Sequence, residues 1–546
     1  MSKITRWEPE NEQFWRETGS KIGWTTCGIT TFSLVFSFTT WFVMSAVVVR
    51  LPNIGFKFSS MELFWLAAIP GFASGILRLI YSYFIPVLGT RPVISITTII
   101  KIFPMIWLGF AVQDTSTPWS TFMIIGFLSG LGGGDFSAYM PSTSIFFPKR
   151  LQGLAMGIQA GIGNFGVSVV QFVTPWIVSF SIIGGAYGVP QLFTKIDVLK
   201  DVAVTKDASG VVTDIVLKNP ALASAITVTK DGGVVKDVLF QETDATKNMK
   251  LDLKRDASGS VTDVAVKKVV KKDMWVQNAA FWYVPLLILA FILSVIFLKS
   301  IDPAALGFKG GNFKRQFEIL STKNRALTHS WNCTITYIAS FGSFSGYAAA
   351  FPMMIKVIYG GFDGAPDPLK FAFFGPLIGG LSRAATGWIF DKIGGSKGMH
   401  WCLLGQIAGC IALIFGGYLT PSGLDKFPVF VYIMLWIFLM TGINNAATFR
   451  QYPIVFAYSP AKGAQMLGWT GAWAAFGPFI FASLIGMAIT KTGSAIPFFI
   501  GASIFYAYAF IINWYYYTRK GAERYDYGTS GGTWWDTAKN TWTGGQ

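Results

Sequence analysis

Arg78 and Arg383 are the residues of this chain best suited to hold a charged molecule. Each lies inside a long apolar segment, ASGILRLIYSYF and IGGLSRAATGWIF, and the two segments match. A glycine precedes each arginine by three residues (Gly75, Gly380) and a second follows it by eleven (Gly89, Gly394). A cation at mid-membrane depth costs at least ~3 kcal/mol on insertion scales, so such residues are rare and usually functional. Two of them, symmetrically placed, point to an anion as the bound species. The bland alternative is a structural salt bridge or snorkelling to an interface. No acidic residue lies near either arginine on its own segment.

The elements that must position these arginines are membrane spans. Of 546 residues, 52% are hydrophobic, 16% aromatic and only 13% charged, and the mean hydropathy is +0.48, a membrane protein's composition. Apolar stretches of about 20 residues, enough to cross a ~30 Å hydrocarbon core, recur at 26–49, 61–87, 93–112, 117–141, 153–180, 280–299, 329–355, 371–390, 400–419, 428–449, 464–489 and 495–516. Twelve spans are expected. The polar, charged first 23 residues do not resemble a cleavable signal. Cys27, Cys333, Cys402 and Cys410 lack CxxC spacing, and His329 and His400 are the only histidines. Neither a disulfide framework nor a metal site is indicated, and no phosphate-binding loop suggests a nucleotide or other cofactor.

The formal charge of +16 is a topology signal rather than a nucleic-acid footprint. Basic residues gather in the N-terminal tail (Lys3, Arg6, Arg16, Lys21), after the fourth span (Lys149, Arg150), between spans six and seven (Lys309, Lys314, Arg315, Lys323, Arg325) and after span twelve (Arg519, Lys520, Arg524). By the positive-inside rule both termini are cytoplasmic.

The fourth and tenth spans also match. Pro141 and Pro148 are seven apart, as are Pro453 and Pro460, and Gly130 and Gly442 each lie eleven residues before the first proline of their pair. Repeated six-span halves mark transporters whose site lies between the repeats. The expected organisation is a tail at 1–25, a first bundle with helices one to five at 26–183, an extracytoplasmic insert at 184–278 and helix six at 279–299. A cytoplasmic linker at 300–328, a second bundle at 329–516 and a tail at 517–546 follow. In the insert, TKDASGVVTD (205–214) reappears as KRDASGSVTD (254–263), with a shorter variant TKDGGVVKD (229–237). Glycine turns between alternating β-branched residues predict hairpins. This small lysine-rich β-domain either concentrates anions near the entrance or is a tolerated loop insertion.

Outside the insert, nearly the whole chain resembles the nitrate/nitrite porter family of the major facilitator superfamily, NarK-type proteins in particular. The stretches that carry the resemblance include WEPE (7–10), LPNIGF (51–56), Arg78 with the following YSYFIP, AVQDTSTP (111–118), GGGDF (132–136) with FFPK (146–149), and GIQAGIGNFGVSVVQ (157–171). In the second half they are YIASFGSF (337–344) and FGPLIGGLSR (374–383). Asp391 and Lys392, in DKIGG, resemble the superfamily's cytoplasmic gating motif. The resemblance implies an all-α transmembrane, alternating-access carrier of nitrate and nitrite in a bacterial inner membrane, built as two six-helix bundles. It implies that Arg78 and Arg383 clasp the anion, that Phe38, Phe136 and Phe341 stack around it with Tyr337 close by, and that Asn164 lies near it. Glycines 157, 161, 163 and 166 would let helices slide closely past one another, a role that agrees with their use in membrane packing.

Nitrate is planar and delocalised, and a guanidinium presents a planar fork of donors that stays protonated, so the pair is well matched. Rings above and below a flat oxyanion would select against tetrahedral sulfate and phosphate, while the arginines supply the attraction. Two residues depart from the family's pattern. Asp135 stands where a neutral residue is expected, and Arg450 adds a third cation. They would either pair with each other inside the membrane, or Asp135 would exchange protons during transport. The first case favours nitrate/nitrite exchange and the second nitrate/proton symport. A membrane sensor using the insert to bind a partner is a rival of another class, but no output domain or catalytic constellation accompanies it. A multidrug exporter would be expected to avoid two cations in its cavity.

Overall fold

The computed structural model describes residues 3–198, 202–217, 222, 226–241, 243, 246, 248–256, 259–302, 325–362, 364–456 and 460–525. Most of the expected 300–328 linker, with Lys309, Lys314, Arg315 and Lys323, and most of the C-terminal tail lie outside these residues.

The first half comprises α1 (Ser20–Val47), α2 (Ser60–Leu88), α3 (Thr90–Ile100), α4 (Ile102–Ala111), α5 (Trp119–Ser129), α6 (Leu131–Gly134), α7 (Phe136–Ser144), α8 (Lys149–Ile177) and, after the insert, α9 (Val284–Phe297). The second comprises α10 (Arg325–Tyr337), α11 (Ser343–Tyr359), α12 (Phe374–Ile393), α13 (Gly395–Phe415), α14 (Phe427–Val455), α15 (Pro460–Ala475), α16 (Gly477–Thr492) and α17 (Ile496–Asn513). Several spans are built of consecutive pieces, α3 and α4 meeting at Lys101 and α10 and α11 joined by a π-turn, Ile338–Gly342.

Among the described residues, ten helical segments are long and apolar enough to cross a membrane, against the twelve stretches expected. The two that fall short carry the polar business of the protein. Four glycines between Ser129 and Asp135 divide the fourth span into α5, α6 and α7, and α12 is diluted by Arg383, Asp391, Lys392 and its glycines.

The matched glycines explain why both arginine helices sit as they do. α2 and α12 each end at a glycine with positive φ, Gly89 at 87° and Gly394 at 94°, where an L-residue would be strained. The chain therefore turns directly into α3 and α13. A Cβ on Gly130 would lie 2.5 Å from the Pro70 carbonyl oxygen, and one on Gly442 would lie 2.2 Å from that of Gly379. Each proline-bearing span is thus pressed backbone to backbone against its arginine helix, as small residues permit in membranes. Between the halves, α2 packs on α15 and α16, and α8 on α12.

The insert is a β-body of three hairpins. Strands β1 (Gln191–Val198), β6 (Met249–Arg255) and β7 (Val261–Met274) form one antiparallel sheet, while β2 (Val202–Lys206) pairs with β3 (Val212–Leu217) and β4 (Ile226–Asp231) with β5 (Val234–Phe240). The repeated sequence has a structural meaning. Each copy makes a hairpin whose register shifts at one place, Thr205/Lys206, Thr229/Lys230 and Lys254/Arg255, with positive-φ glycines at 210, 232, 233 and 259 in the turns. Each copy sends two residues to a common core: Val212 and Ile215, Val235 and Val238, Val261 and Val264. The copies close a ring of ion pairs, Lys206–Asp263 at 3.5 Å, Arg255–Asp237 at 3.2 Å and Lys230–Asp214 at 2.7 Å. In the first turn, bonds from the Ser209 hydroxyl and the Val211 amide hold the Asp207 carboxyl below its usual range. The insert is a pseudo-threefold unit rather than an irregular loop.

Candidate functional site

Arg78 is 1% exposed and is anchored at two points. Its Nε donates to the Gly133 carbonyl and its Nη1 to the Gly471 carbonyl, both at 2.9 Å. The first contact requires the glycine, since a Cβ at 133 would lie 2.2 Å from Ser74 Oγ. The second crosses from the first half to α15 of the second. Nη2 is buried and has no partner, a costly arrangement for a cationic donor unless something else occupies it.

Aromatic rings surround this guanidinium. Its carbon lies 4.8 Å from the Phe136 centroid, 5.3 Å from Trp41 and 5.4 Å from Phe341. The half-buried Arg383 approaches Phe341 at 5.9 Å and Phe449 at 4.8 Å. The two cations therefore share one ring, with attraction to ring faces offsetting part of their desolvation. Among the described residues no ion pair joins a carboxylate to either arginine. Phe38, wholly buried, stacks on Phe136 at 6.2 Å and 19°, and Tyr337 stacks on Phe341 at 6.0 Å and 24°. Phe341 sits in the π-turn between α10 and α11, a local widening that recurs at functional sites.

Other sequence-derived candidates are placed differently. Asn164 is buried, but its Nδ2 donates to the Ala160 carbonyl of its own helix and its Oδ1 is unpartnered. Of the four α8 glycines, Gly163 and Gly166 press on α1, where Cβ atoms would meet Leu34 at 2.6 Å and the Val35 carbonyl at 2.0 Å. Gly161 faces Ala384, beside Arg383, at 3.8 Å, and Gly157 has open space around it.

An Asp135–Arg450 pair does not form. Arg450 lies 3.7 Å from Asp391 of the gating-like motif, whose neighbour Lys392 covers the Trp388 ring at 5.0 Å. Asp135 is instead ion-paired with Lys101, both side chains fully buried. Helix geometry gives the reason, because consecutive residues point about 100° apart. With Phe449 and Phe136 turned to the arginines, Arg450 and Asp135 must face elsewhere. Lys101 also donates to Ser37 Oγ at 2.7 Å and Tyr139 Oη at 3.3 Å, and Ser37 donates to Asp135 Oδ2 at 2.6 Å. The pair ties α1, the α3/α4 junction and the α6/α7 junction together directly behind Gly133 and Phe136.

Sequence reasoning missed Lys101, Trp41 and Phe449. Lys101 had a signal, a lone cation in the apolar run TTIIKIFPMIW; the two aromatics, in a chain this rich in them, had none. Among the described residues no three His, Cys, Asp or Glu side chains gather as a metal site. The arrangement is suited to a small flat anion, which would take up Arg78 Nη2, gain a second cation from Arg383 and lie among the rings.

No protein-family model matches the sequence. The chain is 41% identical over 521 residues to a probable nitrate/nitrite antiporter, NarK2, of Thermus thermophilus, covering 95% of this chain and 98% of that protein. It is 29% identical to the nitrate/nitrite transporter NarU of Escherichia coli K12, over 94% of this chain and 96% of the relative. Among solved structures, the xylose transporter XylE of E. coli in a partially occluded inward-open conformation superposes with a TM-score of 0.52 at 11% identity, covering 90% of this chain and 97% of that one. The human organic anion transporter MFSD10 does so with the same score and identity, over 90% and 99%.

Proposed function

The chain belongs to the NarK-type nitrate/nitrite transporter family, with the major facilitator fold, and from that premise we propose that it exchanges nitrate for nitrite by alternating access, holding the anion between Arg78 and Arg383. It is a multi-pass membrane transporter and not an enzyme. Its working surroundings are a bacterial inner membrane, with both termini cytoplasmic and the insert outside, as the distribution of basic residues supports. Phe136 and Phe341 flank the anion, Phe38 and Tyr337 back them, and Trp41 and Phe449 complete the walls.

The observation that carries exchange rather than symport is the state of Asp135. Among the described residues, Asp135 is the carboxylate next to a site phenylalanine, and its Oδ2 is bound to Lys101 and Ser37 rather than to either arginine. A carboxylate so held is a poor proton carrier, because removing its charge would leave Lys101 buried and unpaired. Without a bound anion, two cations stand uncompensated between the halves, and moving them through a low-dielectric environment is unfavourable. The loaded carrier reorients and the empty one resists, which is the logic of an obligatory exchanger.

The test is isotopically labelled nitrate uptake into proteoliposomes that are either nitrite-loaded or empty, with and without an imposed pH gradient. Uptake is expected to need internal nitrite and to ignore the gradient. Gradient-driven uptake into empty vesicles would establish symport instead.

A further inference from the structure

We propose that the β-insert is a working part of the gate on its own face of the transporter, strapping the two halves shut, and that Arg50, Asp367, Lys356 and Asn53 are the gate residues it covers. This rests on the alternating-access reading above.

The polar contacts at that end of the molecule run from one half to the other. Arg50, just beyond α1, is 6% exposed and donates to Asp367, ahead of α12, at 2.6 Å. Lys356, on α11, donates back to the Val49 carbonyl and, at 3.0 Å, to Asn53 Oδ1. Below them Gln171 of α8 donates to the Ala348 carbonyl of α11 at 2.8 Å. None of these contacts can survive a separation of the halves on this side.

The insert lies over this set and holds both sides of it. Asn53 Nδ2 donates to the Thr194 carbonyl of β1 at 3.1 Å, and Lys195 Nζ reaches the Ala365 carbonyl of the second half at 3.4 Å. Between them the buried Phe193 ring stands 5.8 Å from the Arg50 guanidinium and 5.5 Å from the Lys272 ammonium. A ring over the Arg50 guanidinium shields that side of its pair with Asp367 from water and strengthens it. The ring of ion pairs that joins the three hairpins lets the insert act as a body rather than a slack loop. Its base is fixed to the first half, where Asn278 Nδ2 donates to the Ile177 and Phe180 carbonyls at 3.2 and 2.7 Å and the Trp275 amide to the Val178 carbonyl at 2.7 Å. When this side opens, the insert must move with the first half and let go of Ala365, as Arg50 lets go of Asp367.

The test uses the full-length protein in proteoliposomes. Lys195→Cys with Ala365→Cys, bridged by a short bifunctional thiol reagent, locks the strap; the four native cysteines are buried and stay silent. The readout is labelling of a third thiol, Gln171→Cys, by an impermeant reagent added on the insert side, which needs this gate to open and needs no nitrate. Bridging is expected to slow labelling by roughly tenfold or more, and Arg50→Gln without the bridge to speed it severalfold, as opposite shifts of one gate equilibrium. Nitrate/nitrite exchange should fall in step with the bridged fraction. Labelling that is unchanged by full bridging overturns the proposal, even if exchange is normal. Labelling that responds as expected while nitrate is not carried leaves the strap standing and rejects the substrate reading.

Discussion

Arg78→Lys is expected to weaken nitrate binding by roughly thirtyfold to several thousandfold, the equivalent of the 2–5 kcal/mol that truncating one partner of a buried, hydrogen-bonded charge pair costs. The guanidinium does three jobs at once. Nε and Nη1 fasten it to the carbonyls of Gly133 and Gly471, and the unpartnered Nη2 is the donor proposed for the anion. A lysine has a single ammonium on a flexible stem, so it would anchor or bind but not do both in one plane. Arg383→Lys should lose a similar amount for a different reason, since an ammonium is more strongly hydrated than a guanidinium and gains less from the Phe341 and Phe449 rings beside it. Charge is conserved in both variants and the melting temperature should change little. Equilibrium binding of nitrate to purified protein, with a thermal melt alongside, checks both points; affinity within threefold of the wild type would sink the assignment.

The second large effect is on stability. Asp135→Asn removes one member of a fully buried ion pair, and breaking such a pair typically costs 3–5 kcal/mol because the other charge is stranded. A sharply lower melting temperature and poor yield are therefore expected. The second half of the chain indicates how to repair it. Gln406 follows Arg383 by 23 residues, as Lys101 follows Arg78, and Ala447 precedes Pro453 by six, as Asp135 precedes Pro141. Gln406 donates to the Ala339 carbonyl beside Phe341, much as Lys101 donates to Ser37 beside Phe38. The second half thus meets the same packing demand without charge. The double variant Lys101→Gln with Asp135→Ala should regain most of the lost stability and retain nitrate/nitrite exchange. A double variant that folds, binds nitrate and no longer exchanges would make the pair part of the transport chemistry rather than its support.

Much of the architecture was legible because membrane folds announce themselves in few variables. Apolar run length gave the spans, and the fourth and eighth fell short of a simple span only where glycines or charges were needed for the site. The repeated Gly and Pro spacing marked the two halves, but not the backbone-to-backbone contacts that Gly130 and Gly442 make with the arginine helices. The hairpin repeats in the insert could be read from their turns, but not their closure into a ring, which depends on contacts between copies. At the site, the arginines stood out because unpaired intramembrane cations are rare. Which way a neighbouring residue faces was not legible, since one step along a helix turns a side chain by about 100°. That is why Asp135 and Arg450, each adjacent to a site phenylalanine, were candidates for one another, and why Lys101 was overlooked as the partner of Asp135.

The most direct test of the central claim is a crystal or cryo-electron structure of the wild-type protein saturated with nitrate. Expected is flat, trigonal density within hydrogen-bond distance of Arg78 Nη2 and the Arg383 guanidinium, lying among Phe136 and Phe341, with Lys101 and Asp135 still paired behind it. Density for the anion bound elsewhere in the protein, with both guanidiniums left untouched, would contradict it.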